Sequence, residues 1–137
     1  MIRQLILVFF FIPVLSFQAF AENLAKAQSA LESGDFLRAK EILTSLSEKD
    51  NEKAQFLLGS MYYQGFGVAR DIEKAFFWVN LAARKNSEFS ALVQKISKEL
   101  PPPVIAKLRQ SCRKWLQSKS LLNEEDFEEE KSCEKTD

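Results

Sequence analysis

The chain contains no histidine. That removes imidazole general bases, Ser-His-Asp triads and ordinary histidine metal sites. Its two cysteines, Cys112 and Cys133, are too few and too far apart for a zinc site. Ser111 to Lys114 reads S-x-x-K, a string that carries a nucleophile in penicillin-binding enzymes, but the companion motifs are missing. Neighbouring carboxylates gather in Asn123 to Asp137, NEEDFEEEKSCEKTD, where no rigid scaffold would hold a catalytic separation. Gly65-x-Gly67 lacks the third glycine and the preceding strand of a nucleotide-binding loop. No catalytic residue, metal site or cofactor is therefore assigned, and binding remains as the chemistry to explain.

The elements that would position a binding surface begin after an apolar leader. Arg3 is a short positive region, Leu5 to Leu15 is an apolar run, and Ala19-Phe20-Ala21 is an A-x-A site. That order predicts a secretory signal over residues 1–21, cleaved after Ala21. A retained anchor is the alternative, but the run is well short of the roughly 20 residues of a spanning helix. Export would place the remainder in an oxidising compartment and permit a Cys112–Cys133 disulfide. Its loop of about 20 residues would be worth roughly 3 kcal/mol if closed without strain. Alternatively, Cys112 is a small buried residue and Cys133 a thiol in the tail. With 46% hydrophobic and 28% charged residues, the 137-residue chain has the composition of one ordinary globular domain.

Charge balances at 19 basic against 19 acidic residues, but the acids crowd into the tail, which leaves the body from Glu22 to Leu122 basic. Such a run is a solvated tail or one folded onto its own basic body, with Phe127 as an apolar contact. The basic body could suggest nucleic acid; export and the acidic tail argue against it.

Leu24, Ala27, Ala30 and Leu31 fall on one helix face, and Phe36, Ala39, Ile42, Leu43 and Leu46 on another. Gly34-Asp35 between them predicts a tight turn with an aspartate cap. Asp50 or Asn51 is placed to cap the next helix, on which Ala54, Leu58, Met61 and Tyr62 share a face. After a Gly65–Gly67 loop, Asp71 caps a fourth helix with Ala75, Trp78, Val79 and Ala82 inward. Asp35, Phe36, Ala39 and Leu43 align with Asp71, Ile72, Ala75 and Val79 at a separation of about 36 residues, the period of stacked helical hairpins. A third, partial copy begins near Glu88. Leu100-Pro101-Pro102-Pro103 breaks it and starts a final helix with an inner stripe of Ile105, Leu108, Cys112, Trp115 and Leu116. No strand-like alternation appears. The expectation is an all-α fold, a short right-handed solenoid of antiparallel hairpins closed by a C-terminal capping helix over residues 22–120.

Ala54 to Ala83 resembles a Sel1-like repeat, a relative of the tetratricopeptide repeat. The resemblance rests on Ala54, Leu58-Gly59, Tyr62, Gly65-Phe66-Gly67-Val68, Asp71, Lys74-Ala75, Trp78 and Ala82-Ala83. Leu100 to Trp115 resembles the closing helix of exported bacterial Sel1 proteins, with Pro101 and Pro103 in place of capping and acidic residues. In such relatives the first helix of each hairpin lines a concave groove. That implies partner-binding positions at Lys53, Phe56, Ser60, Tyr63 and Gln64, with Phe56 and Tyr63 as exposed aromatic anchors. The resemblance thus implies an adaptor that binds a protein or peptide in the cell envelope. A cell-envelope enzyme acting on peptidoglycan or β-lactams, or a secreted host-interacting effector, are the alternatives.

Overall fold

The computed structural model describes residues 21–120. Residues 1–20 of the leader expected over 1–21, and the expected acidic tail at 121–137 with Cys133, lie outside the described residues. Helix α1 runs over 21–32. It is followed by α2 (Phe36–Glu48), α3 (Glu52–Gln64), α4 (Ile72–Lys85), a 3-10 turn (Ser87–Phe89), α5 (Ser90–Ser97) and α6 (Pro102–Ser118). There is no strand among the described residues. The architecture is an all-α helical repeat, with α1–α2 and α3–α4 as successive helix pairs and α5 and α6 both packed on α4.

Local chemistry sets the helix starts. Asp35, Asn51 and Asp71 each accept a hydrogen bond from the backbone N–H three residues on, at 3.2, 2.9 and 2.9 Å. Each satisfies an amide that the first turn leaves unpaired, worth about 1 kcal/mol. The backbone hydrogen bond to Asp71 from Lys74 also holds the Asp71 carboxyl below its ordinary range. Helix α6 starts without a side-chain cap. Pro102 and Pro103 occupy its first turn, where missing N–H groups cost nothing, and Ile105 N–H closes on Pro101 O at 3.1 Å.

The exits differ more. Helix α1 ends in a Schellman turn: Asp35 N–H bonds Ala30 O and Gly34 N–H bonds Leu31 O, with Gly34 at φ +79. Helix α2 ends the same way, Asn51 N–H to Leu46 O and Asp50 N–H to Ser47 O, but the left-handed position is Asp50 at φ +60. Asn86, after α4, is extended at φ −136 and caps the 3-10 turn through Glu88 N–H. No left-handed residue closes α4, so the chain enters α5 by a different path from the turns after α1 and α2.

The buried residues gather in three clusters along these units. Ala27, Leu43, Leu46, Ala54, Leu58 and Met61 are buried between the first two pairs. Ala75, Phe76, Val79 and Ile96 form the core between α4 and α5. Leu81, Cys112 and Leu116 pack α6 onto α4, beside Phe77, Trp78 and Trp115. The aligned positions of the repeat behave alike, with Ala39, Leu43, Ala75 and Val79 fully buried. Gly59 permits the close approach of α3 and α4, since a Cβ there would lie 2.5 Å from Val79 Cγ2. The capping helix was expected to present Ile105, Leu108, Cys112, Trp115 and Leu116 inward, and all five pack against α4 and its neighbours.

Candidate functional site

The predicted positions Lys53, Phe56, Ser60, Tyr63 and Gln64 lie at helical spacing on α3 and form one stripe of it. The chain does not leave that stripe open. Phe56 is half-buried and stacks on Phe89, with ring centres 4.3 Å apart. The expectation of a freely exposed aromatic at Phe56 is therefore corrected. The connection into α5 lacks a glycine turn and runs through the 3-10 segment, which lays Phe89 over the α3 face. Ser60 Oγ donates to Phe56 O within its own helix at 2.8 Å. Lys53 and Gln64 remain exposed at the two ends of the stripe.

Tyr63 sits at the junction of α3, the Gly65–Gly67 loop and the end of α5. Its hydroxyl donates to Glu99 Oε1 at 2.5 Å. Arg70, from the loop, donates through Nη2 to Glu99 Oε2 at 2.6 Å and through Nε to the Tyr63 carbonyl at 2.9 Å. The Arg70 guanidinium and the Lys95 ammonium each lie 5.3 Å from the Tyr63 ring centre, in cation–π range. The Tyr63 hydrogen bond, then that of Arg70, lowers the Glu99 carboxyl below its usual range. The same Glu99 bond raises the Tyr63 phenol above its own. Arg70 and Glu99 side chains are 48% and 34% exposed, so this cluster faces solvent. It is a surface arrangement that can hold a carboxylate.

A second carboxylate node lies at the other junction. Asp50 is 8% exposed. Its Oδ1 accepts from the buried Gln55 Nε2 at 3.1 Å, and its Oδ2 from Arg84 Nη2 at 3.3 Å and from Lys85 Nζ. Lys85 Nζ also reaches the Asp50 carbonyl at 2.6 Å. The node ties the end of α4 to the α2–α3 turn. Sequence reading saw Asp50 only as an alternative cap; Asn51 takes that role, and Asp50 occupies the glycine-like left-handed position beside it. The signal that could have found it is an aspartate where Gly34 and Gly65 stand at the other exits. Asp50 also lines an open depression of about 350 Å³ with Ala21, Leu24, Lys49, Asn51, Glu52 and Lys53.

Cys112 is 3% exposed, with its Sγ 3.6 Å from Phe77 O. Its expected partner Cys133 lies outside the described residues. Ser111 Oγ donates to Lys107 O at 3.1 Å on the exposed side of α6, far in chemistry from a nucleophile site. Among the described residues no group of three metal-ligating Cys, Asp or Glu side chains gathers, and no helix is long and apolar enough to cross a membrane.

Stacked helical units that each pack on their neighbours are the build of a helical-repeat protein. Residues 52–87, which span α3, its loop and α4, match the Sel1 repeat family. The Sel1 repeat is a protein–protein interaction module. No curated protein and no solved structure matches the chain.

Proposed function

We propose that this chain is an exported, non-catalytic adaptor that binds a protein or peptide partner in the cell envelope. The observation that carries the reading is the Sel1-type hairpin at 52–87. Its first helix holds Lys53, Tyr63 and Gln64 toward a solvent-facing seam. Rigid helices fix the backbone positions of these residues in advance, which lowers the entropic cost of binding. The order of Arg3, the apolar run and Ala19-Phe20-Ala21 supports the exported address. Partner contact would then need no cofactor and would be carried by Lys53, Tyr63 and Gln64, with Phe56 and Ser60 supporting them from within the seam. A Cys112–Cys133 disulfide belongs to the same reading, because an oxidising compartment would permit it. Intact mass with and without reductant tests it; no change in free thiols would remove it.

The address is tested by fractionating cells that express the full chain and sequencing the mature N-terminus. A soluble envelope protein beginning at Glu22 is expected; an intact leader in the membrane fraction would overturn export. The binding face is tested by recovering partners from envelope extract. The double variant Lys53→Glu, Gln64→Lys is expected to lose the partner that Lys107→Glu on α6 retains. Undiminished recovery with the double variant would count against this face.

A further inference from the structure

Tyr63, Arg70 and Lys95 come from three separate elements and surround one carboxylate. Both Glu99 oxygens are engaged, Oε1 by the Tyr63 hydroxyl and Oε2 by Arg70 Nη2. The donors have anchors other than Glu99. Arg70 is anchored by its Nε bond to the Tyr63 carbonyl and by its position over the Tyr63 ring. Tyr63 packs against the core of Ala75, Phe76, Val79 and Ile96. Glu99 itself follows α5 in a short turn, its N–H bonded to Ile96 O at 2.9 Å. Its side chain can leave by a rotamer change while Ile96 and Leu100 stay packed in that core.

We propose that this seat is a receptor for side-chain carboxylates of an acidic peptide segment in the partner, and that Glu99 fills it in cis as a displaceable stand-in. The inference rests on the adaptor reading and names the chemistry of its partner. With Glu99 swung out, a phenol donor and two cations face solvent, a site complementary to negative charge. Exchange of one carboxylate for another preserves every hydrogen bond in the seat. Arg70 and Glu99 are exposed enough for water to screen their attraction, so the cis contact is not prohibitive to break. Glu99 instead sets a threshold: its tether gives it a high effective concentration, and a single foreign carboxylate competes poorly. A segment carrying several carboxylates, with Lys53 further along the same α3 stripe, would overcome it.

The test is an NMR titration of the full chain with acetyl-tetraglutamate-amide, followed at the Tyr63 ring and Arg70 guanidinium signals. Capped ends leave side chains as the only carboxylates. Capped tetraglutamine is the control, and tetraglutamine with a free C-terminus reports a terminal-carboxylate receptor. The glutamate peptide is expected to bind and capped tetraglutamine not to. Glu99→Ala is expected to tighten the glutamate peptide about fivefold by removing the competitor from the seat. Adding Tyr63→Phe or Arg70→Gln to that variant is expected to abolish the gain. Loss of one negative charge would by itself favour an anionic peptide, so the deciding arm is Tyr63→Phe, which leaves the charge unchanged and removes only the hydroxyl donor of the seat. Unchanged or weaker binding by Glu99→Ala, equal binding of capped tetraglutamine, or response only to the free terminus would overturn the proposal. A chain that still captures its partner through Lys53 and Gln64 while Glu99→Ala gains nothing keeps the adaptor function and loses this seat. A chain that gains peptide affinity but captures no partner has the seat and loses the adaptor reading.

Discussion

Two junctions in this array each place a carboxylate among cations. At the first, Asp50 joins the α2–α3 turn to Arg84 and Lys85 at the end of α4. At the second, Glu99 joins the end of α5 to Tyr63 and Arg70. Burial separates them. The Asp50 side chain is 7% exposed and its partners are 29% and 31% exposed, whereas Arg70 and Glu99 stand at 48% and 34%. A carboxylate withdrawn from water cannot exchange its partners without a large desolvation penalty, so Asp50 is a fastener. A carboxylate at the surface can trade its partners for water or for another anion, so Glu99 is a latch. The same pairing chemistry is structural at one end and available for recognition at the other.

The largest effect is expected at the fastener. Asp50→Ala should destabilise the protein by about 3 kcal/mol in chemical denaturation, because Arg84 and Lys85 lose their anion and the buried Gln55 loses an acceptor. Asp50→Gly removes the same carboxylate and relieves the left-handed backbone, so it should be milder than Asp50→Ala by about 1 kcal/mol. Equal losses would show that the backbone at Asp50 carries no strain. Gly67→Ala comes next. Gly67 has φ +65, and a Cβ there would lie 2.1 Å from Phe36 Cβ, where the repeat loop presses on the preceding hairpin. A loss of about 2 kcal/mol is expected by the same measurement.

The latch should respond differently. Glu99→Ala is expected to leave the midpoint of denaturation nearly unchanged while freeing the Tyr63 hydroxyl, read by NMR as a fall of the phenol pKa toward its ordinary value. A cooperative loss of stability like that of Asp50→Ala would erase the distinction between the junctions. The smallest effect is expected from pH. Glu99 has a lowered pKa in the folded chain, so its contribution is present above the ordinary carboxylate value and lost as pH falls through the lowered one. Tyr63 has a raised pKa, so its contribution is present below the ordinary phenol value and lost as pH rises through the raised one. Chemical shifts of both groups should therefore mark a latch closed across neutral pH and opened at either extreme. Added salt should loosen it while leaving the Asp50 node nearly untouched.

Much of the fold was legible before any coordinates, and the reason is range. Asp35, Asn51 and Asp71 cap helices through bonds to residues three positions on, so composition and spacing announce them. The alignment of Ala39 and Leu43 with Ala75 and Val79 was legible because a repeat copies its core. Phe76 was missed for a related reason. A periodic stripe marks one buried face, whereas α4 packs against α3, α5 and α6 and is buried more widely. The candidate site was legible only as a stripe on α3. That Phe89 would cover Phe56 depended on the 3-10 path after Asn86, which a missing glycine hints at without drawing.

The sequence by itself determined the all-α class, the helix starts, the repeat unit at its centre and the absence of histidine chemistry, all carried by residue type and short spacing. Only the tertiary structure decided which carboxylates matter. Asp50 and Arg84, or Tyr63 and Glu99, stand 34 and 36 residues apart in the chain. No local preference brings them together. Stacking of one helix pair on the next does, and the depth at which each pair meets water then makes one a fastener and the other a latch.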